Sequence, residues 1–365
     1  MSRDELAAWL RLLLTPGVGN DTARKLLTAF GLPTAVWTQA PSVLKAVTSP
    51  RIAEALQSPP EGLDAAVDQV LTWLAGETNR HLLTLGDPAY PPELLQTADP
   101  PLLLYVMGRL SALQHPQRLA IVGSRNPTPQ GQANARQFAQ ALGEAGVCVV
   151  SGLALGVDGA AHEGALDAGA PTIAVVGTGL DRVYPKRHLA LAHRIAEHGA
   201  LVSEYPLGTP PLAPNFPRRN RIIAGLSQGT LVVEAAVQSG SLITARMAAE
   251  QGREVFAIPG SIHAPQSRGC HALIRQGAKL VESAQDILEE LRVPDPFATP
   301  RTPSTPAAPE DDLLEAMGYD PVSLDALQAR TGLDTATLQA RLLELELDGA
   351  VSRMPGGLLQ RLGQS

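Results

Sequence analysis

The sequence predicts an α/β protein built on a doubly wound, mainly parallel sheet, with a small helical domain before it and a winged-helix domain after it. Three observations carry that expectation. Between residues 118 and 290, short β-rich runs ("RLAIVGS", "CVVSGLA", "TIAVVGTG", "ALVSEYP", "TLVVEAA", "EVFAIPG") alternate with helical stretches such as "GQANARQFAQALGEAG". Apolar strands alternating with helices are the pattern of a parallel sheet covered on both faces. Residues 292–310, "RVPDPFATPRTPSTPAAPE", hold six prolines and few large apolar groups, which reads as an extended linker. Beyond it, residues 311–365 have their own helical periodicity. Helix, turn, second helix (335–347) and glycine-containing hairpin follow one another there as in a winged helix.

Taken from the N-terminus, residues 1–75 read as short helices. "LRLLLTPGVGNDTARKLLTAFG" gives an apolar helix, a tight PGVG turn and a second helix with Ala23, Leu26, Leu27 and Phe30 on one face. The pattern is similar to a helix-hairpin-helix or SAM-like module, whose turn can hold a DNA phosphate at a helix N-terminus; the plainer reading is a helical packing module. Residues 76–117, punctuated by prolines, read as a connection packed on the next domain. Residues 118–291 form the sheet domain.

Composition narrows the function. The chain has 365 residues, 44% hydrophobic, with a formal net charge of −7. An acidic protein is a poor non-specific polyanion binder, so an anion site must be local. Residues 310–365 hold ten acidic residues against four arginines, so duplex reading by the winged helix is disfavoured. Two distant cysteines, Cys148 and Cys270, suggest neither a disulfide framework nor a zinc site. No signal-peptide layout and no apolar run of roughly 18 residues occurs. A reducing, cytoplasmic setting without membrane attachment is expected.

In a doubly wound sheet, ligands bind at the carboxyl ends of the strands. Four of those ends carry small or glycine-rich turns: Gly123-Ser124, Ser151-Gly152, Gly177-Thr178-Gly179 and Ser239-Gly240-Ser241. Such turns admit close backbone approach and favour anions. Neither GxGxxG after the first strand nor GxxxxGK[ST] occurs, so no cofactor is expected, and no metal. Instead, Arg125 follows the first turn, and "NFPRRNR" places Phe216, Arg218, Arg219 and Arg221 just before an apolar helical segment. Four guanidiniums with an aromatic nearby suit phosphodiester oxygens and a stacked base. Ion pairing and a core phenylalanine are the alternative reading.

At these residues the chain closely resembles the DNA-processing protein A (DprA/Smf) family. The ordered motifs are "IVGSRNPTPQG", "VVSGLALGVDGAAHEGAL", "TIAVVGTGLDRVYP", "LVSEYPLGTPP", "NFPRRNRIIAGLS", "LVVEAAVQSGSLITARMAAEQGREVFAIPG" and "LIRQGAKLV". The resemblance implies a Rossmann-like domain, a homodimer, and a single-stranded DNA-binding recombination mediator that protects incoming DNA and loads RecA in natural transformation. The DNA-binding residues it implies are Arg125, Ser151, Gly152, Gly156, Lys186, Phe216, Arg218 or Arg219, Asn220 and Arg221; the strand-end turns add Gly123, Ser124, Ser239 and Gly240 to the candidates. His188 and His271 stand where the family commonly has asparagine.

Several residues invite an enzymatic reading. Asp158 and His162 are spaced i, i+4, but a helix-capping pair with Asp158 as N-cap is the simpler account. Glu204 and Glu234 end two strands and would supply the acid and base of a nucleotide hydrolase, the rival function; carboxylates that hold the arginines are the simpler role. Ser124, Ser151 and Ser241 lack a His–Asp partnership. No catalytic residue is expected.

Overall fold

The structure, a computed structural model, describes residues 1–293 and 311–362. The linker expected at 292–310 lies, from residue 294 on, outside the described residues. The strands are β1 (Arg80–Thr84), β2 (Leu103–Gly108), β3 (Arg118–Gly123), β4 (Cys148–Ser151), β5 (Thr172–Val175), β6 (Ala200–Ser203), β7 (Gly229–Val233), β8 (Glu254–Ala257) and β9 (Lys279–Leu280), with a separate hairpin β10 (Val351–Arg353) and β11 (Leu359–Arg361). By compactness the chain forms two units, Met1–Pro116 with Ile173–Leu226, and Gln117–Thr172 with Ser227–Ser365.

The first unit begins with helices. Ser2 starts the Arg3–Leu14 helix through a capping box with Glu5, and the Asn20–Phe30 helix follows the PGVG turn. Ala23 and Leu26 are buried with Leu12, Val36, Leu44, Ala53 and Leu56, while Leu27 and Phe30 pack against that cluster. The amphipathic face expected from the sequence is therefore the face that folds inward.

Residues 76–117 are more than a connection. They contain β1 and β2, which pair antiparallel, and β2 pairs antiparallel with β6 (Tyr105 opposite Ser203, Met107 opposite Leu201). Strand β6 in turn pairs parallel with β5. This pairing draws residues 173–226 to the N-terminal part. The 118–291 segment expected as one domain is thereby shared between the two units.

In the second unit the strands run parallel in the order β4-β3-β7-β8-β9. The chain leaves β3 towards β4 on one side, and leaves β7 towards β8 and β9 on the other. Right-handed crossovers in opposite directions put their helices on opposite faces, which is the doubly wound arrangement. Phe138 and Leu142 of the Pro129–Glu144 helix, Ala161 and Ala165 of the Val157–Asp167 helix, and Ile287 of the Ala284–Glu290 helix close one face over Leu119, Ile121, Leu231 and Phe256. Both cysteines are buried and unpaired. Burial pushes the Cys148 thiol up to about 12 and that of Cys270 to about 11.

Helices Asp312–Met317, Leu324–Thr331 and Thr335–Leu347 with the β10–β11 hairpin make the winged helix, around Leu313, Met317, Leu327, Leu338, Leu342 and Leu359. Asp334 caps the last helix by accepting from the Ala336 and Thr337 N–H groups. Among the described residues, no helix is long and apolar enough to cross a membrane.

Candidate nucleic-acid interface

In the second unit, β4, β3 and β7 are neighbours, and their carboxyl ends carry eight of the candidate residues. The chain winds outward in opposite senses from the parallel neighbours β3 and β7, so a ligand cleft is expected at their carboxyl ends. Arg125 stands exposed just beyond β3, and the Asn126 N–H turns back to the Ser124 hydroxyl (3.1 Å). Beneath this loop lies Gly156 with φ at 82°; a Cβ there would fall 2.5 Å from the Ser124 carbonyl oxygen. Only glycine allows both the backbone turn and the approach. Ser239 and Gly240 precede the Ser241–Glu250 helix, with the Ser239 and Ser241 hydroxyls 2.7 Å apart.

Ser151 and Gly152 are turned inward. The Ser151 hydroxyl donates to the Ile121 carbonyl (2.6 Å), and the Gly152 N–H donates to Asp158 (3.1 Å), which also accepts from Ala154 (3.2 Å). These two residues shape the loop. The N-cap of the following helix is Gly156, so Asp158, already inside the first turn, fastens the preceding loop instead of capping. His162 is fully buried, its Nδ1 2.7 Å from the Thr172 hydroxyl. Thr172 itself donates to the Val149 carbonyl.

Glu234, the residue after β7, has φ at 51°, a left-handed conformation that costs a non-glycine residue energy. Its carboxylate accepts from the Thr128 N–H (2.8 Å) and the Thr128 hydroxyl. Thr128 caps the Pro129–Glu144 helix by accepting from Gly131 (3.0 Å). The expectation that Glu234 steadies an arginine gives way to this role as anchor of the β3 loop. His271 Nε2 lies 2.9 Å from the Gly260 carbonyl oxygen, tying the 260 loop.

The other six candidates belong to the first unit. The segment "NFPRRNR" does not precede a helix; it is the start of the Asn215–Leu226 helix. Helical phase then separates its arginines. Arg219, Ile222, Ile223 and Leu226 (positions i, i+3, i+4, i+7) form one buried stripe, and Arg219 is 4% exposed. Arg218, one residue earlier, faces solvent, and Asn220 is half-buried.

Arg221 turns to carboxylates. It makes a two-pronged contact with Glu204 (2.9 and 2.6 Å) and a third bond to Asp99 (3.0 Å). Their side chains are 12% exposed for Arg221 and 11% for Glu204. Asp99 also accepts from Arg24 (3.0 Å) and Asn20 (3.2 Å) of the second N-terminal helix. Burial opposes the Asp99 charge, but hydrogen bonding to Arg24 and the nearby Arg221 outweigh it and hold the carboxyl below its usual value. Burial likewise opposes the Arg221 charge, and Glu204, then Asp99, outweigh it and raise the guanidinium's value. Two of the three clustered arginines are thus inside the fold, where the sequence suggested a common exposed rim.

Phe216 is set by its neighbours. The Asn215 side chain donates to the Gly177 carbonyl (3.1 Å), and the Tyr205 hydroxyl donates to the Asn215 carbonyl (3.1 Å). Burial raises the Tyr205 phenol to about 12, keeping it a donor. A Cβ on Gly177 would sit 3.1 Å from the Phe216 ring, so the ring lies directly on the glycine turn after β5. On its other side is Tyr184, with ring centroids 5.6 Å apart at 40°. Sequence reasoning missed Tyr184, although it stands two residues before Lys186, which is exposed in the Lys186–His188 turn. Among the described residues, no group of three or more His, Cys, Asp or Glu is placed to hold a metal.

Comparison with known proteins follows the same residues. The sequence profile of DNA recombination-mediator protein A matches residues 81–292, and that of the DprA winged helix domain matches residues 297–357. Protein Smf of Escherichia coli K12 is 47% identical over 305 residues, 81% of each chain. The crystal structure of DNA processing protein A from Streptococcus pneumoniae superposes with a TM-score of 0.68 at 38% identity, covering 80% of this chain and 98% of that one. The structure of DNA processing protein A from Helicobacter pylori, described for its single-stranded DNA binding mode, gives 0.53 at 32% identity, covering 58% and 96%. The matched profile spans more than half of the chain and includes both the glycine-turn edge and the Asn215–Leu226 helix: this chain belongs to the DNA recombination-mediator protein A (DprA/Smf) family.

Proposed function

We propose that this protein binds single-stranded DNA without sequence preference and serves DNA processing as a recombination mediator. The observation that carries the reading is an aromatic and cationic surface of the first unit: half-buried Phe216 with exposed Arg218 on one helical turn, and exposed Tyr184 and Lys186 on the neighbouring loop. Guanidinium and ammonium groups answer phosphate oxygens, and an aromatic face accepts any base. In the second unit, Arg125 and the turns at Gly123, Ser124, Gly156, Ser239 and Gly240 offer phosphate contacts of their own. Ser151, Gly152, Arg219 and Arg221 act as supports, because their polar groups are buried or bonded inside the fold. The relative from Helicobacter pylori with a described single-stranded DNA binding mode supports the same ligand.

A binding protein suits the site better than the rival hydrolase. Glu204 is paired with Arg221, and Glu234 is bonded by Thr128, so each carboxylate has a structural task. Work as a cytoplasmic homodimer that protects incoming strands and loads RecA in natural transformation is the role that family membership supports.

The test is a salt series of binding to single- and double-stranded oligonucleotides, comparing wild type with Arg125→Ala and Arg218→Ala. Each variant is expected to weaken single-strand binding across sequences and to lower the slope of log affinity against log salt by about 0.7. Equal wild-type affinity for both forms, or unaltered slopes, overturns the reading.

A further inference from the structure

We propose that Tyr184 is a second base-stacking residue of the single-strand site, an assignment that rests on the DNA-binding reading above. Phe216 has its back on the Gly177 turn and one side against Tyr184. Tyr184, by contrast, is 48% exposed. The open aromatic area of the pair is therefore largely the tyrosine's. A base inserted between two rings needs roughly 7 Å from ring to ring, twice the spacing of about 3.4 Å between stacked bases. The centroids here stand 5.6 Å apart and the planes are tilted by 40°. The two rings consequently act as one continuous platform, not as a clamp, and an unpaired base reaches it from the solvent side, over Tyr184. Lys186 and Arg187, both exposed, follow on the same loop and place cations where the phosphates flanking that base would run. The ligand class is a single strand with accessible bases; a duplex, whose bases are stacked on each other, cannot present one.

The experiment measures anisotropy of a labelled oligo-dT and of an abasic oligonucleotide of equal length, using the full chain and the Tyr184→Ala, Tyr184→Phe and Tyr184→Trp variants. Tyr184→Ala is expected to weaken oligo-dT binding roughly tenfold with an unchanged salt slope, and to leave the abasic strand unaffected. Phenylalanine and tryptophan should keep the affinity. In wild type, photo-cross-linking with 5-iododeoxyuridine should mark the peptide that contains Tyr184. Equal losses on both strands would assign the tyrosine to loop support and overturn the proposal, as would a cross-link that spares its peptide. If Tyr184→Ala binds normally while Arg218→Ala does not, stacking by Tyr184 fails and the DNA-binding reading stands. Wild type that binds neither strand ends both.

Discussion

The winged-helix domain holds four arginines, and each is taken up inside the domain. Arg330 donates to the Ala316 carbonyl (3.1 Å), Arg341 meets Asp311 (2.5 Å), Arg353 meets Glu346 (2.9 Å), and Arg361 lies 4.6 Å over the Tyr319 ring. The Asn215–Leu226 helix treats its three arginines differently: Arg221 is consumed by carboxylates and Arg219 is buried, but Arg218 stays in water within two residues of an aromatic pair. The winged helix therefore leaves none of its arginines without an internal contact, whereas the Asn215–Leu226 helix keeps Arg218 exposed near the Phe216–Tyr184 pair. The two regions also differ in what their ion pairs do. The pair at Arg221 is nearly sealed from solvent, whereas Arg341 and Asp311 are each about a third exposed.

The sharpest test of that difference is stability. Glu204→Ala leaves Arg221 buried with half of its charge balance removed and should cost about 3–5 kcal/mol in urea unfolding. Arg341→Ala, which opens a more solvated pair and leaves the Asp311 helix cap in place, should cost less than about 1 kcal/mol. Equal costs would erase the distinction. On DNA the order reverses: Arg218→Ala should lower single-strand affinity at unchanged stability, while Arg353→Ala in the winged helix should change neither. Gly177→Ala probes the platform from behind. Its methyl would press on Phe216 at 3.1 Å, and a loss of single-strand affinity smaller than that of Arg218→Ala is expected, read by the same anisotropy titration.

The smallest effect concerns acid. Asp99 titrates below its ordinary value of 3.8 in the fold. A lowered carboxyl stabilises the protein above that pH, and the contribution disappears as pH falls through the lowered value. Thermal midpoints between about pH 5 and pH 2 should therefore converge for wild type and Asp99→Asn at the acid end, with wild type higher at pH 5. A constant gap across the range would detach Asp99 from the stability of the helix.

Much of this was readable beforehand. "RLAIVGS" and the five runs like it became strands β3 to β8, because an apolar run closed by a small residue has few other uses between amphipathic helices. Strands β1 and β2 were hidden by Pro88, Pro91, Pro92, Pro100 and Pro101, which crowd the segment between them without entering either, and β9 has two residues. Candidate residues could be named from their type, but the direction of each side chain could not. Three arginines in four positions look like one patch on paper, yet successive helical residues point about 100° apart, and a helix beginning at Asn215 sends Arg219 into the core. Tyr184 carried no signal by itself, since its meaning comes from Phe216, thirty-two positions later.

The bonds from Asn20 and Arg24 to Asp99 have a practical consequence for anyone dividing this chain into parts. A fragment cut to residues 81–292, the span matched by the family profile, would retain Asp99, Arg221 and Glu204 but lose both side chains of the Asn20–Phe30 helix that share Asp99. Arg221 would then face two carboxylates without the second guanidinium, and the footing of the helix that presents Phe216 would shift from balanced to anionic. Weak DNA binding by such a fragment would report that altered footing as readily as a missing contact from the N-terminal helices, and restoring those helices with Arg24→Ala alone would tell the two apart.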